Sequence, residues 1–227
     1  MSTRISIHQP MYLPYPGLFN KMKNVDIFVF GDDAQYSRRY YYNRNRIKTP
    51  NGALMLTVPL IKPFGKKLNE IKIDNNKNWQ KKHLKSLYTW YKKADYFEDY
   101  IKFFEEVYNT EWQTLHELNM KTLFYLMEQL DIKVKVYFTS DLLRDYTPTG
   151  KTQRIIDICK KLKANVYLSG IGGKNYLEPI LFEKNKIKLE FQNYKPKEYK
   201  QLWGPFIPNL SVVDLLFNLG EKATDMI

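Results

Sequence analysis

The order of elements in the first 30 residues constrains the fold more than any other feature of this sequence. Residues 5–7 form a short apolar run, and residues 27–30 are apolar at four consecutive positions, which is typical of a strand buried on both faces. Three prolines at positions 10–16 exclude a continuous helix between the runs, and residues 18–23 can form a brief helix. The order strand, rigid loop, helix, strand favours two parallel strands joined by a crossover.

From residue 79 the apolar residues recur with a helical period instead. Asp95 with Glu98, and Thr110 with Gln113, fit the capping-box pattern, in which a short polar side chain and a longer one satisfy orphan backbone donors. We therefore expect three helices between residues 79 and 130, and they would form a helical lobe inserted into the α/β pattern.

The α/β pattern continues on both sides of this lobe. Further strands are predicted at residues 54–60, 71–73, 133–138, 166–168 and 187–191, and helices at residues 152–163 and from Ser211 to just before Gly220. A chain of 227 residues suits one domain with an appended lobe better than two independent domains. The predicted architecture is a single α/β domain over residues 1–227, with a mainly parallel open sheet of nucleotide-binding type and a helical lobe at about 79–130.

The formal net charge of +12 at pH 7 favours partners that carry phosphate groups. Nucleic acid, nucleotide-sugars, acyl-coenzyme A, acyl-carrier proteins and an anionic membrane face are all compatible with it. Many of the lysines fall within helical patterns, however, so a solvated basic surface is the favoured interpretation of most of this charge.

Two absences bear on the compartment. No segment approaches the roughly 20 uninterrupted apolar residues that span a bilayer, and the N-terminus lacks the apolar core of a signal peptide. The single cysteine, Cys159, cannot form an internal disulfide and fits a small buried position on a helix. We therefore expect a cytoplasmic protein.

The candidate catalytic residues stand at the predicted strand ends. His8 follows the first strand and Asp32 follows the second, and ligands of open α/β sheets commonly sit beyond the carboxyl ends of the strands. At such a position His8 can act as a general acid or base or bind phosphate, or it can simply cap the strand. The three histidines show no metal-binding spacing, so no metal site is expected, and the sequence identifies no cofactor.

A polar, aromatic and basic segment occupies residues 35–49. Arg38, Arg44 and Lys48 offer donors for phosphate or carboxylate groups, and the neighbouring tyrosines offer faces for stacking a base or sugar. The same combination also suits a nucleic-acid surface.

A second candidate segment is rich in glycine and follows the strand predicted at 166–168. A strand, glycines that allow close backbone approach and then a helix start form a layout that binds anions, although a tight structural turn would use the same glycines. The predicted ligand contacts here are Ser169, Gly170, Gly172, Gly173 and Tyr176.

With these residues in view, the chain resembles the WbqC-like family, which is found among bacterial surface-polysaccharide and other biosynthetic loci. The resemblance covers nearly the whole chain. It rests on the opening motif His8-Gln9-Pro10-Met11-Tyr12-Leu13-Pro14 with Gly17, Phe19 and Lys21, on Asp26, Asp32 and Gln35, on Asn43 to Lys48, on Trp79, His83 and Tyr91, on Tyr167 to Gly170 with Gly172 and Gly173, and on Leu210, Ser211 and Asp214 to Leu216.

The resemblance implies a cytoplasmic transferase in surface-glycan or related biosynthesis. The implied reaction is acyl or aminoacyl transfer to a nucleotide-linked amino sugar, with a nucleotide-sugar, acyl-coenzyme A or acyl-carrier substrate. His8 and Asp32 would be catalytic, and the implied substrate or phosphate contacts outside the glycine loop are Gln9, Tyr12, Lys21, Gln35, Arg38, Asn43, Arg44 and Lys48.

Two other functions remain open. A strand that ends in histidine before a loop, a helix and a buried strand also resembles the start of HIGH-type nucleotidyltransferases, although the second histidine of that motif is absent. The third possibility is a basic, non-enzymatic protein that binds nucleic acid or supports assembly.

Overall fold

The computed structural model describes residues 2–144, 146 and 149–227, which divide into two compact units. One unit comprises Met1–Gln9, Asn20–Asp33 and Lys133–Lys195 and is called the sheet unit here. The other comprises Pro10–Phe19, Ala34–Ile132 and Pro196–Ile227 and is called the helical unit.

The chain forms both strands and helices, and they alternate mainly outside the central part of the sequence. The strands are β1 (Arg4–His8), β2 (Ile27–Phe30), β3 (Arg44–Thr49), β4 (Gly52–Thr57), β5 (Lys135–Phe138), β6 (Val166–Ser169) and β7 (Lys188–Phe191). The α-helices are α1 (Pro16–Lys23), α2 (Trp79–Tyr91), α3 (Phe97–Asn109), α4 (Leu115–Gln129), α5 (Thr139–Leu142), α6 (Lys151–Lys161), α7 (Pro179–Lys184) and α8 (Val212–Leu219).

The sheet unit contains one five-stranded sheet in the order β5-β2-β1-β6-β7. Every neighbouring pair is parallel, with Ile5 of β1 opposite Ile27 of β2 on one side and opposite Tyr167 of β6 on the other. The predicted α/β class and parallel open sheet are confirmed. Strands β2 and β5 extend the sheet on one side of β1, whereas β6 and β7 extend it on the other side. The strand order therefore reverses between β1 and β6.

An apolar core covers one face of this sheet. Helix α6 contributes Ile156 and Cys159, which are both fully buried, and the Tyr167 and Phe182 rings stack with centroids 5.6 Å apart. Burial raises the pKa of the Cys159 thiol to about 12, so the thiol stays protonated and behaves as a small hydrophobe.

The helical unit contains the three helices predicted between residues 79 and 130, but both predicted capping boxes are wrong. Helix α3 begins at Phe97 without a side-chain cap, and α4 begins at Leu115 with a capping box formed by Thr114 and Glu117. Thr110 instead donates its hydroxyl to the Glu106 carbonyl 2.8 Å away, at the end of α3.

The same unit contains an antiparallel hairpin of β3 and β4. Its turn needs Gly52, whose φ of 100° disfavours any residue with a side chain. The strand predicted at residues 54–60 is wrong in its bounds, because Pro59 lacks the amide that a ladder requires. Residues 71–73 form only isolated bridges, Leu60 to Ile73 and Lys72 to Thr114, rather than a strand.

Helix α8 closes the helical unit at its C-terminal end. The Ser211 hydroxyl caps the helix by accepting from the Val213 amide, as predicted, and the helix ends at Gly220. Gly220 has φ 58°, and a side chain there would meet the Tyr96 ring at 2.5 Å. Across the described residues, no helix combines the length and apolar character that crossing a membrane requires.

Candidate functional site

The carboxyl ends of β1 and β6 lie side by side where the strand order of the sheet reverses. Open parallel sheets bind ligands in the crevice at this point, because the connections leave the edge in opposite directions. Strand β1 ends at His8 and β6 ends at Ser169. The C-terminal half of α1 brings Lys21 to the same edge, so we call His8, Gln9, Lys21, Ser169 and Gly170 the strand-end site.

Lys21 is the most unusual residue of the strand-end site. Its side chain is 2% exposed, and burial lowers its pKa from 10.5 to about 8. Among the described residues its ammonium group forms no hydrogen bond and no ion pair with a carboxylate. A lysine side chain that is buried without a carboxylate partner is energetically unfavourable, so this position favours a role in binding an anion.

Gly170 makes room for this ammonium group. A Cβ atom at position 170 would lie 3.1 Å from Lys21 Nζ, closer than ordinary van der Waals contact. Glycine at position 170 therefore lets the Lys21 side chain reach the end of β6, although the two residues are far apart in the sequence.

His8 is held as a neutral ring with one defined tautomer. Its Nδ1 lies 2.8 Å from the Gln9 carbonyl oxygen, which can only accept, so Nδ1 carries the proton and Nε2 keeps its lone pair. Burial, followed by the charge of Lys21, lowers the pKa of His8 to about 3. At neutral pH His8 therefore offers an uncharged acceptor at Nε2 rather than a cation for phosphate.

The glycine loop after β6 is a 3₁₀ turn over Ile171–Asn175, and its glycines have different roles. A Cβ at Gly173 would lie 2.9 Å from Leu177 Cδ1 and closer still to the Ser169 hydroxyl, so packing alone requires glycine there. Gly172 faces open space. The loop therefore combines a tight turn with one unobstructed glycine.

Tyr176 lies just beyond this turn and is 48% exposed. The Lys151 ammonium lies 5.8 Å from the centre of its ring, within the range of a cation–π contact. Tyr176 thus has an exposed face, as a stacking residue requires, and its role as a ligand contact remains a prediction.

Asp32 fixes the neighbouring strand ends to each other. Its Oδ1 accepts from the Ser140 amide at 3.0 Å and its Oδ2 accepts from the Ser140 hydroxyl at 2.6 Å, while Thr139 donates to Oδ1 at 3.2 Å. These are the bonds of a carboxylate that caps the first turn of α5. These bonds explain the position of Asp32 by a structural role alone, and its catalytic role stays a prediction.

Two predicted contacts, Tyr12 and Asn43, lie buried in the helical unit. The Tyr12 hydroxyl bonds to His83 Nδ1 at 2.9 Å and to the Tyr108 hydroxyl at 2.6 Å. The Asn43 amide donates to the Val58 carbonyl at 2.7 Å. Each side chain thus has a structural partner inside its own unit.

Lys48 is also buried in the helical unit, at 1% exposure. Its ammonium donates to Gln201 Oε1 at 3.1 Å and to the Pro205 carbonyl. Its backbone amide donates to the Tyr91 hydroxyl at 2.7 Å. The residue is therefore integrated into the packing of the unit.

Of the three remaining predicted contacts, Gln35 and Arg38 lie on the surface of the helical unit and Arg44 is half-buried in it. Gln35 and Arg38 are exposed, and Arg44 donates to the Arg38 carbonyl at 2.8 Å. The Arg44 guanidinium also lies 5.8 Å from the Tyr41 ring centre. The side chain of Arg38 is therefore exposed to solvent.

Sequence reasoning missed two polar residues near the strand-end site. Gln192 follows β7, donates its backbone amide to the Ser169 carbonyl at 2.8 Å, and donates its side-chain amide to Asn20 Oδ1 at 2.7 Å. The strand-end rule that selected His8 applies equally to Gln192, which directly follows β7. For Asn20, the only sequence feature that could have indicated a role is its position next to Lys21. Within the described chain, no three His, Cys, Asp or Glu residues cluster as a metal site would require.

The fold is that of an α/β protein with an open parallel sheet, and the residues of the strand-end site meet where its strand order reverses. Residues 9–226 match the WbqC-like protein family, and the chain belongs to that family. It is 35% identical over 227 residues to an uncharacterized protein of Mycobacterium tuberculosis, Rv1507c, in a match that covers 98% of this chain and 96% of that protein. No solved structure matches the chain significantly.

Proposed function

We propose that the protein is a cytoplasmic transferase whose strand-end site binds a phosphate-bearing, activated substrate. The observation that carries this proposal is the buried ammonium of Lys21, which has no acidic partner among the described residues and lies next to Gly170. A phosphate at this place would compensate the buried charge and would strengthen the interaction because water is excluded.

His8 complements Lys21 in this proposal. Because its ring is neutral, His8 adds no second positive charge, and Nε2 is available to accept a proton or a hydrogen bond. The unobstructed Gly172 allows a ligand to approach the backbone of the loop. Lys21 thus binds the anion, and His8 acts on the reacting group.

The specific reaction that we propose is acyl or aminoacyl transfer to a nucleotide-linked amino sugar. The sugar amine attacks the carbonyl carbon of the acyl donor, the C–N bond forms, and the donor's thiol or alcohol leaves with its electron pair. A phosphate bound to Lys21 would offset the charge that helps to lower the pKa of His8, and Nε2 would then take the proton that the amine loses and pass it to the leaving group. This acceptor and donor are the ones that the resemblance to the WbqC-like family implies.

Nucleotidyl transfer is the second candidate, and the sheet topology favours it. A parallel sheet with His8 at the end of its first strand, at the reversal of strand order, is the layout in which nucleotides bind. In this reaction a phosphate oxygen of one substrate attacks the α-phosphorus of a nucleoside triphosphate, and pyrophosphate leaves. The absent second histidine leaves Lys21 as the group that would stabilise the transferred phosphate.

Ligand-induced thermal stabilisation tests the proposal. The wild type, Lys21→Met and the control Lys23→Met would be screened against nucleotide-sugars, acyl-coenzyme A and magnesium complexes of ATP and CTP. We expect one phosphate-bearing class to stabilise the wild type and Lys23→Met but not Lys21→Met, because only Lys21 is buried at the strand ends. Equal stabilisation of all three proteins, or none by any ligand, would contradict the proposal.

Product analysis then separates the two reactions. With the stabilising ligand and its cosubstrate, acyl transfer would add the mass of the acyl group to the sugar nucleotide and release a thiol. Nucleotidyl transfer would instead release pyrophosphate. The variant His8→Gln should turn over slowly in either case while it still binds the ligand, because Gln cannot accept the proton.

A further inference from the structure

A row of contacting aromatic rings crosses the surface of the helical unit. The Phe64 and Tyr36 ring centres are 5.5 Å apart, those of Tyr36 and Tyr42 5.9 Å, and those of Tyr42 and Tyr40 5.5 Å. The ends of the row face solvent, since Phe64 is 66% and Tyr40 57% exposed, whereas Tyr42 is only 4% exposed. The exposed rings of Phe64 and Tyr40 are thus connected through Tyr36 and the buried ring of Tyr42.

Backbone hydrogen bonds hold the segments that carry these rings. The Tyr36 amide donates to the Lys66 carbonyl at 3.0 Å, so the two segments of the row are joined directly. The Tyr42 carbonyl accepts from the Tyr12 amide at 3.1 Å and from the Asn119 side chain at 2.9 Å. A ligand that stacks here would therefore lose little entropy in ordering the protein.

The segment that carries the row is rich in positive charge, and the carboxylate of Glu70, which follows it, accepts from the Lys67 backbone amide at 3.2 Å. Residues 34–69 contain eight Lys and Arg residues and no Asp or Glu. Four of these cations are exposed and form no ion pair with any other described residue: Arg38, Arg39, Lys62 and Lys67. We call these four cations with the aromatic row the aromatic–basic surface.

We propose that the aromatic–basic surface binds single-stranded nucleic acid, with bases stacked on Tyr40 and Phe64 and with phosphates bound by the four exposed cations. Stacking requires base faces that are not already covered, which an unpaired strand offers and a duplex does not. An acidic protein would satisfy the positive charge but would not use two exposed aromatic faces. This site is independent of the strand-end site and of the reaction proposed there.

Fluorescence anisotropy with a labelled oligouridine of about 15 nucleotides tests the stacking part of the proposal. Removing each ring as Tyr40→Ala or Phe64→Ala should weaken binding by about tenfold or more, which is the usual contribution of one stacked base. The control is Phe124→Ala, which removes a ring that is 44% exposed on α4. Equal affinity of all three variants would overturn the proposal.

A charge-matched pair of variants tests the phosphate contacts. Arg38→Ala/Arg39→Ala and Lys81→Ala/Lys82→Ala each remove two exposed cations, the second pair from α2. Only the first pair should reduce the dependence of log affinity on log salt concentration, by about 1.4 for two lost phosphate contacts to a single strand. The proposal fails if both pairs behave alike.

Competition distinguishes the proposed partner from other polyanions. Unlabelled oligouridine should displace the probe, whereas a duplex of equal length and polyglutamate should compete poorly. Competition by polyglutamate as effective as that by oligouridine would overturn the proposal in favour of a surface for acidic proteins. Circular dichroism of each variant checks that its fold is unchanged.

Discussion

Replacing Lys21 with methionine should stabilise the protein in the absence of a ligand. Burial lowers the pKa of Lys21 from 10.5 to about 8, a difference of about 2.5 units. At about 1.4 kcal/mol per unit, burying the charged side chain costs about 3 kcal/mol of the free energy of unfolding at neutral pH. Methionine has a similar length and no charge, so Lys21→Met should recover up to about 3 kcal/mol.

The gain should depend on pH in a defined direction. The unfolded chain keeps the Lys21 proton up to about pH 10.5, whereas the folded protein releases it near pH 8. Between these values the unfolded state binds more protons, so the stability of the wild type rises with pH. The difference between Lys21→Met and the wild type should therefore be largest below pH 8 and should approach zero above pH 10.5.

Urea denaturation at about pH 7 and about pH 10 measures both quantities. The control Lys23→Met makes the same chemical change at an exposed position of the same helix, and its stability should stay within about 0.5 kcal/mol of the wild type. A Lys21→Met protein that is less stable than the wild type at pH 7 would refute the reasoning, because Lys21 would then have a compensating partner. An equal difference at both pH values would refute the assigned pKa shift.

Three further predictions concern the packing inside each unit. Asp214→Asn should lower the free energy of unfolding by about 1–3 kcal/mol, because its fully buried carboxylate accepts from two tyrosine hydroxyls and an amide can replace only one acceptor; chemical denaturation measures the loss. Gly173→Ala should cost about 1–3 kcal/mol, since its methyl group would overlap the Ser169 hydroxyl, whereas the control Gly172→Ala meets nothing within 4 Å and should be close to neutral. Native Cys159 should resist alkylation at pH 8, and denaturant should make it reactive, because burial raises the pKa of its thiol to about 12; mass spectrometry after iodoacetamide treatment checks this.

The elements of the sheet could be predicted because their sequence signals are local. The apolar run of β2 and the short run of β1 mark buried strands. The strand-end rule selected His8, and the glycine-rich loop pattern selected Ser169 and Gly170 separately. The approach of Lys21 to Gly170 could not be predicted in the same way. Apolar patterns show which residues are buried but not which strands are neighbours, and this contact depends on β6 lying next to β1.

The starts of α3 and α4 show a second limit of local patterns. Thr110 with Gln113 and Thr114 with Glu117 both fit a capping box, so the sequence offers two starts for α4. The choice is made by distant residues, since the Ile73 amide donates to the Gln113 carbonyl and the Leu115 amide donates to the Ile71 carbonyl. These bonds keep residues 113 and 114 extended, so the helix begins only at Leu115.

A comparison of the two buried lysines distinguishes a structural role from a ligand-binding role. Lys21 is 2% and Lys48 1% exposed, but only the Lys48 ammonium has partners among the described residues, the Gln201 side chain and the Pro205 carbonyl. Lys48→Met would remove the donor to the Pro205 carbonyl and leave Gln201 Oε1 with the Ile207 amide. The substitution should lower the free energy of unfolding by about 1–3 kcal/mol, opposite in sign to Lys21→Met. Urea denaturation of the two variants side by side measures this contrast. If both substitutions shifted stability in the same direction, burial without a partner would no longer identify Lys21 as the residue kept for a ligand.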